Sequence, residues 1–146
     1  MPQSLTFLLV HIIFSTKDRT PTIRNPRDLH AYLATVARNL GCECFRVGGT
    51  ADHVHFAIGL SRTITIADLI SELKTSSSQW MKTQGDSNFA WQRGYGAFTL
   101  GKSDLDALIR YIDNQEEHHR KIDFRDELRA VLKRYGVEHD EQYLWD

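Results

Sequence analysis

Two β-rich runs flank a glycine pair in residues 42–60, which read CECFRVGGTADHVHFAIGL. We predict strands at Cys42–Val47 and Asp52–Leu60 joined through Gly48 and Gly49, because a glycine-containing connection between two such runs is typical of a β-hairpin. Successive side chains of a strand point to opposite faces of the sheet, so each strand of this hairpin presents two different surfaces. An antiparallel hairpin near the middle of the chain is therefore the starting point of the fold prediction.

The sequence on both sides of the hairpin supplies further elements. The predicted elements are a strand at 5–14, a helix from Pro26 until Gly41, a helix after Thr65, an irregular strand within 89–100, a helix from Ser103, and a helix at about 123–135. The order β-α-β-β-α-β followed by helices predicts an α+β fold of the ferredoxin-like sandwich type, an antiparallel sheet with helices on one face plus C-terminal helices. We expect residues 1–146 to form a single domain.

The distribution of charge along the chain indicates whether a nucleic acid can be a partner. The net charge is -1, which argues against strong nucleic-acid binding when taken as an average. The charge is uneven, however, at +3 for residues 1–40, -1 for 41–71, +2 for 72–102 and -5 for 103–146. A DNA partner is therefore permitted. No apolar stretch reaches the roughly 18 residues that a membrane-spanning helix requires, so we expect a cytoplasmic protein with no membrane partner.

His53, Val54 and His55 lie in the second predicted strand of the hairpin. Alternate residues of a strand share a face, so both imidazoles would project to the same side roughly 7 Å apart. That arrangement suits two ligands of one metal ion. A surface position or a satisfied position in the core is the alternative for either histidine.

The helix from Ser103 carries a polar stripe beside its apolar one. At about 100° per residue, the apolar positions Leu105, Leu108, Ile109 and Ile112 fall within 0–100° of Leu108, whereas Tyr111, Gln115 and His118 fall near 300°, 340° and 280°. Tyr111 and Gln115 are thus one turn apart at the rim of the buried face, and His119 falls on the apolar stripe. Tyr111 is either a functional residue or an amphipathic core residue with its hydroxyl in water.

Four stretches together resemble one family of enzymes. They are HVH at 53–55, YIDNQEEHH at 111–119, HIIFSTKDR at 11–19 and WQRGYGAF at 91–98. The first resembles the His-hydrophobe-His (HUH) signature of single-strand nucleases, and the second resembles the catalytic helix of the single-tyrosine transposases, the TnpA type of insertion sequences and their REP-associated relatives. The resemblance covers nearly the whole chain.

The resemblance implies a homodimeric HUH transposase that acts on single-stranded DNA with a hairpin. It implies Tyr111 as nucleophile and His53, His55 and Gln115 as ligands of a divalent metal, with Mg²⁺ or Mn²⁺ as the ion and no nucleotide cofactor. A 5′-phosphotyrosine intermediate conserves the phosphodiester, so a 3′-hydroxyl can later rejoin the strand. His118 is a possible auxiliary group for deprotonating the phenol. The DNA-binding candidates are Lys17, Arg19, Lys74, Gln92 and Arg93, which could equally be solvated surface groups.

Three other functions stay open at this point. Another HUH endonuclease role, such as a replication initiator, would use the same tyrosine and metal. A non-catalytic nucleic-acid-binding module of ferredoxin-like fold would use Tyr111 only for stacking or packing. A metal hydrolase would use His53 and His55 with an activated water.

Overall fold

Strands and helices alternate in the order that the sequence predicts. The computed structural model describes residues 3–142 and 144–145. Its elements are β1 Leu9–Ser15, α1 Pro26–Asn39, β2 Glu43–Gly49, β3 His53–Gly59, α2 Ile66–Thr83, β4 Gly96–Thr99, α3 Leu105–Asp113, α4 Gln115–His118 and α5 Phe124–Tyr135, with 3₁₀ turns at Lys17–Arg19 and Lys102–Asp104.

The four strands form one antiparallel sheet in the order β2-β3-β1-β4. Strand β1 is therefore central, and every one of its residues is buried. Ile13 lies opposite His55 and Ser15 lies opposite His53, so the pairing of β1 with β3 places both histidines against the middle of the sheet. The α+β, ferredoxin-like prediction is confirmed.

The two faces of the sheet are covered by different helices. On what we call the apolar face, Val54, Phe56 and Ile58 of β3 pack with Val10, Ile12 and Phe14 of β1 against α1 and α2. On the opposite side, which we call the histidine face, His53, His55 and Ala57 lie under α3, α4 and α5. Leu108 and Ile112 of α3 contact Ala57, while Phe124, Leu128 and Leu132 of α5 pack with Ile13 and Phe98.

Gly48 allows α3 to approach the sheet closely. A Cβ at this position would lie 2.5 Å from Cγ2 and 2.9 Å from the carbonyl oxygen of Ile112. A larger residue would push α3 away from β2 and β3. The close approach brings Tyr111, one residue before Ile112, over the two histidines of β3.

The ends of several elements differ from the predictions. Residues 5–8 lie outside β1, with Leu5 81% and Phe7 51% exposed, and Gly48 and Gly49 belong to β2 instead of to the turn. Strand β4 is only four residues long. The predicted third helix begins with a 3₁₀ turn and not at Ser103 as an N-cap, and it breaks at Asn114, whose φ of -95° and ψ of 14° are not helical.

The predicted starts of α2 and α5 are correct and have a local cause. The hydroxyl of Thr65 accepts a hydrogen bond from the Asp68 amide at the start of α2, and the carboxylate of Asp123 accepts one from the Asp126 amide at the start of α5. Such N-caps satisfy backbone donors that have no partner within the helix. Over residues 3–142 and 144–145, no helix has the length and apolarity needed to cross a membrane.

Candidate active site

The two histidines of the HVH motif converge beneath the C-terminal helices. Both side chains are fully buried, and their ring centroids are 5.1 Å apart. The Nε2 atoms of His53 and His55 lie 3.4 Å and 3.0 Å from the same oxygen, Oε1 of Glu127. Because side chains alternate between the two faces along β3, His53 and His55 point to the same face, as the sequence predicts.

The Nδ1 atom of each histidine has its own partner. Nδ1 of His53 lies 2.7 Å from Oδ1 of Asp52 and 3.0 Å from the hydroxyl of Thr50. Nδ1 of His55 lies 2.9 Å from Nε2 of His11. Hydrogen bonds at Nδ1 fix the orientation of an imidazole and direct its Nε2 atom towards the site, as in many metal centres.

Glu127 of α5 lies at the centre of the site and is 1% exposed. Its Oε1 atom is 3.0 Å from Nε2 of His119, in addition to the two HVH histidines. Its Oε2 atom accepts hydrogen bonds from Nε2 of Gln115 at 3.0 Å and from the hydroxyl of Tyr111, and it lies 3.4 Å from Nε2 of His118. Burial alone would raise the pKa of Glu127, but the imidazoles of His119, His53 and His55 beside Oε1 outweigh it and hold the pKa far below its ordinary range.

The HVH histidines have opposite electrostatic environments. Burial would lower the pKa of His53, but Asp52 and Glu127 outweigh burial and raise the pKa to about 9. Burial lowers the pKa of His55 to about 4 despite its bond to Glu127, and it lowers the pKa of His11 to about 3. One strand thus holds an imidazole that favours its cationic form beside one that favours its neutral form.

Tyr111 is half-buried among aromatic rings on the same side. The ring centroids of His55 and His118 lie 5.5 Å and 5.4 Å from that of Tyr111. Burial, together with the negative charge of Glu127, raises the pKa of the phenol above its ordinary value. The hydroxyl is therefore protonated at neutral pH and needs a nearby positive charge before it can act as a nucleophile.

A cavity of about 450 Å³ opens next to Tyr111 and Glu127, between α3 and α5. Its wall includes Leu108, Arg134 and Tyr135. The volume falls within the range of about 300–1,000 Å³ that is usual for small-ligand sites. A small group can therefore enter from solvent beside the Tyr111 side chain.

Comparison with known proteins identifies the family. Residues 4–115 match the family described as "Transposase IS200 like". The chain belongs to the IS200-like transposase family. No curated protein matches it.

Two solved structures share the fold of this IS200-like transposase. One is a candidate transposase from Deinococcus radiodurans, which is 23% identical with a TM-score of 0.63 over 79% of this chain and 98% of that one. The other is a REP-associated tyrosine transposase bound to a REP hairpin, 15% identical with a TM-score of 0.60 over 82% of this chain and 74% of that one. At these identities the similarity concerns the fold.

The predicted site residues meet at one place in this transposase. His53, His55, Gln115, Tyr111 and His118 all have an atom within 3.4 Å of Glu127. Gln115 is fully buried instead of lying at a rim, and its Oε1 is 2.8 Å from Nε2 of His53. The helix break at Asn114 explains the difference, since a constant 100° per residue does not hold across it.

Most of the predicted DNA-binding residues lie together at the end of β1. Thr16 pairs with Trp91 there, and Lys74 donates hydrogen bonds from Nζ to the carbonyl oxygens of residues 92, 93 and 94 at 2.8, 3.1 and 2.8 Å. Burial lowers the pKa of Lys74 to about 8. Oε1 of Gln92 accepts a hydrogen bond from the Ser15 amide at 2.7 Å. Both side chains therefore hold the loop in place, and DNA contact by either stays a prediction.

The remaining candidates differ in exposure. Lys17 and Arg93 are exposed, whereas the guanidinium of Arg19 lies 5.3 Å from the ring centroid of Trp145. Lys82 was not among the predicted residues but lines an open groove of about 470 Å³ together with Lys74 and Arg93. We call the four cations at this place the basic end; they are Lys17, Lys74, Lys82 and Arg93.

Three residues of the site were missed by sequence reasoning. His119 was predicted only to lie on the apolar stripe; its ring does pack 4.4 Å from that of buried His53, but its contact with Glu127 was not predicted. Asp52 directly precedes the HVH motif, and Glu127 falls on the buried stripe of α5 with Phe124 and Leu128. An acidic residue on an apolar stripe was the available signal, because a buried carboxylate requires partners.

The donor set fits a divalent metal ion. Ligand atoms of His53, His119 and Glu127 all lie within 4.8 Å of one another. Imidazole nitrogens and carboxylate or amide oxygens are the donors that Mn²⁺ and similar first-row ions accept. Residues 3–142 and 144–145 therefore contain a His/Glu group with the chemistry that such an ion requires.

Proposed function

We propose that this IS200-like transposase cleaves and rejoins single-stranded DNA through a 5′-phosphotyrosine intermediate, with Tyr111 as nucleophile. In this proposal His53, His55 and Gln115 hold Mg²⁺ or Mn²⁺. The observation that carries it is the convergence of the Tyr111 hydroxyl, both HVH imidazoles and the Gln115 amide on one buried carboxylate. A tyrosine that only packs in the core would not require buried polar groups around its hydroxyl, because burying such groups is energetically unfavourable.

Each side chain has a defined task. The oxygen of Tyr111 forms a bond to phosphorus while the bond from phosphorus to the 3′-oxygen breaks, and the proton lost by the phenol is balanced by the one gained at the 3′-oxygen. Asp52 and His11 orient the two imidazoles through their Nδ1 atoms. When bound, the cation would polarise the scissile phosphate and offset its charge. Rejoining is the reverse reaction with a new 3′-hydroxyl, and it needs no nucleotide cofactor.

The surroundings of the site support a DNA substrate. The cavity beside Tyr111 offers Arg134 for a phosphate and Tyr135 for a base. The basic end lies where β1 meets the loop before β4, and Ser15 at that end pairs with His53. The REP hairpin bound by a structural neighbour supports a hairpin as the recognised element. We also propose that the chain works as a homodimer, which analytical ultracentrifugation tests.

The test is the formation of a covalent adduct. Labelled single-stranded DNA from the flanks of the gene is incubated with the protein and Mn²⁺ or EDTA, and the products are separated on a denaturing gel. We expect an adduct that requires Mn²⁺ and is absent from Tyr111→Phe. Tyr95→Phe, which removes the hydroxyl of an exposed tyrosine, is the matched control and should behave as wild type.

Other outcomes would select the competing functions. Metal-dependent cutting without an adduct would show a hydrolase. DNA binding with neither cutting nor an adduct would show a non-catalytic binding module. An adduct that only recloses its own nick, and never joins two different ends, would show a replication-initiator type of endonuclease.

A further inference from the structure

Glu127 faces more donors than a carboxylate can satisfy. Its Oε1 atom has imidazole nitrogens of His55, His119 and His53 at 3.0, 3.0 and 3.4 Å. A carboxylate oxygen has about two lone pairs, so it can accept hydrogen bonds well from two of these three rings. An arrangement of three imidazoles around one oxygen is therefore poorly explained by hydrogen bonding alone.

The same distances are those between neighbouring ligands of one ion. Two atoms that each lie about 2.1 Å from a metal are about 3.0 Å apart at a right angle and about 3.4 Å apart at a tetrahedral angle. The separations of Oε1 from the three Nε2 atoms span these values, and the ligand atoms of His53, His119 and Glu127 also lie within 4.8 Å of one another. His55 is not part of this compact group and approaches it through Oε1 alone. The Gln115 oxygen, 2.8 Å from Nε2 of His53, is close to the shorter value.

We propose that Glu127 and His119 are ligands of the same divalent ion that His53, His55 and Gln115 hold. The inference rests on the metal site of the proposed function and extends its ligand set. The Nδ1 atoms of the two HVH histidines are engaged by Asp52 and His11, which leaves both Nε2 atoms to face the ion. Oε1 is the atom of Glu127 nearest the imidazoles, so it is the ligand atom.

The extended ligand set has two consequences. Oε2 of Glu127 accepts the hydrogen bond of the Tyr111 hydroxyl, so one carboxylate joins the metal to the nucleophile and fixes α5 over the site. Three imidazoles with one carboxylate also select among ions. Mg²⁺ prefers oxygen ligands and keeps several waters, whereas Mn²⁺ accepts this mixed set. The site should therefore prefer Mn²⁺ to Mg²⁺.

The test measures metal binding in the absence of DNA. Isothermal titration with Mn²⁺ is carried out on wild type, Glu127→Gln and His119→Ala. Glu72→Gln is the control, because Glu72 is an exposed carboxylate on α2, which packs on the opposite face of the sheet. We expect at least a tenfold loss of affinity for both site variants, of the order that disturbed metal sites show, and none for the control. Affinities within twofold of wild type for both would overturn the proposal.

A second measurement uses unaltered protein, so it does not depend on the folding of a variant. X-ray absorption of the Mn²⁺-loaded wild type should show three imidazoles in the first coordination shell. Two imidazoles would contradict the extended ligand set, and the His119→Ala titration would then show whether His119 is one of the two. The adduct test of the proposed function is separate from these metal measurements. If only His53, His55 and Gln115 hold the ion, the protein still forms a Tyr111 adduct, but Glu127→Gln binds Mn²⁺ as tightly as wild type.

Discussion

Strand β3 contributes alternate residues to the two faces of the sheet, and these two sets of residues have different chemical surroundings. Phe56 and its alternate neighbours fill the apolar face, where each side chain is fully buried among apolar groups. His53 and His55, equally buried, lie on the histidine face among hydrogen-bonding partners. Strand alternation decides which residues share a face, but the covering helices decide whether that face is a core or a site.

The largest expected effect is a loss of stability when a side chain is removed from the apolar face. Phe56→Ala removes a fully buried ring from the apolar face and should lower the free energy of unfolding by about 3–5 kcal/mol. The histidine face does not contact this ring, so Mn²⁺ affinity of the folded fraction should stay within a factor of about two. Urea unfolding followed by circular dichroism measures the first quantity, and titration at low temperature measures the second.

His55→Ala, at the adjacent position, is the matched comparison. It should weaken Mn²⁺ binding by at least about tenfold, because it removes a proposed ligand. A Phe56→Ala protein that loses Mn²⁺ binding while fully folded would show that the two faces are coupled.

The apolar face was predictable because its chemistry is periodic. Leu29, Leu33 and Ala37 of α1 recur at helical spacing, and all three are buried. The apolar run of β1 predicted a central strand, and the sheet order confirms it. The prediction extended β1 back to Leu5, because apolar composition does not reveal where a strand loses its neighbours.

The histidine face was only half predictable. His53, His55, Tyr111 and Gln115 came from strand alternation, one helical turn and the family resemblance, and the structure brings them together. Glu127 belongs to a different helix, and no spacing in the sequence specifies that α5 packs over β3. His119 was predicted to face inward and does so, but its contact with Glu127 depends on the same packing of α5 and was not predictable.

A pH experiment sharpens the contrast within the histidine face. The raised pKa of His53 means that its cationic form stabilises the fold fully below about pH 6.5, and that this stability is lost as pH rises through about 9. The lowered pKa values of His55 and His11 act in the other direction, so stability is lost as pH falls from 6.5 towards 4 and 3. With EDTA present, the fold should be most stable near the pH where these effects meet, about 6.5.

Asp52→Asn isolates the alkaline part of this profile. The variant lacks the carboxylate that helps to raise the pKa of His53, so the loss of stability between pH 6.5 and 9 should shrink by about 1.5–3 kcal/mol, the usual range for a hydrogen bond to a charged group. Lys74, whose pKa is lowered to about 8, opposes the loss in both proteins and cancels in the comparison. Thermal unfolding across the pH series provides the measurement, and parallel profiles for the two proteins would contradict the assignment.

The smallest expected effect is a change in DNA affinity when cations of the basic end are removed. Lys82 and Arg93 line the open groove beside α2, away from the histidine cluster. If they contact phosphates, Lys82→Ala and Arg93→Ala should each weaken single-stranded DNA binding a few-fold and reduce the slope of log affinity against log salt by about 0.7. Fluorescence anisotropy over a salt series measures both quantities. Lys133→Ala, an exposed lysine of α5, is the control. Unchanged slopes would mean that Lys82 and Arg93 are solvated surface groups, and that any contact between DNA and the basic end is made by Lys17 or Lys74.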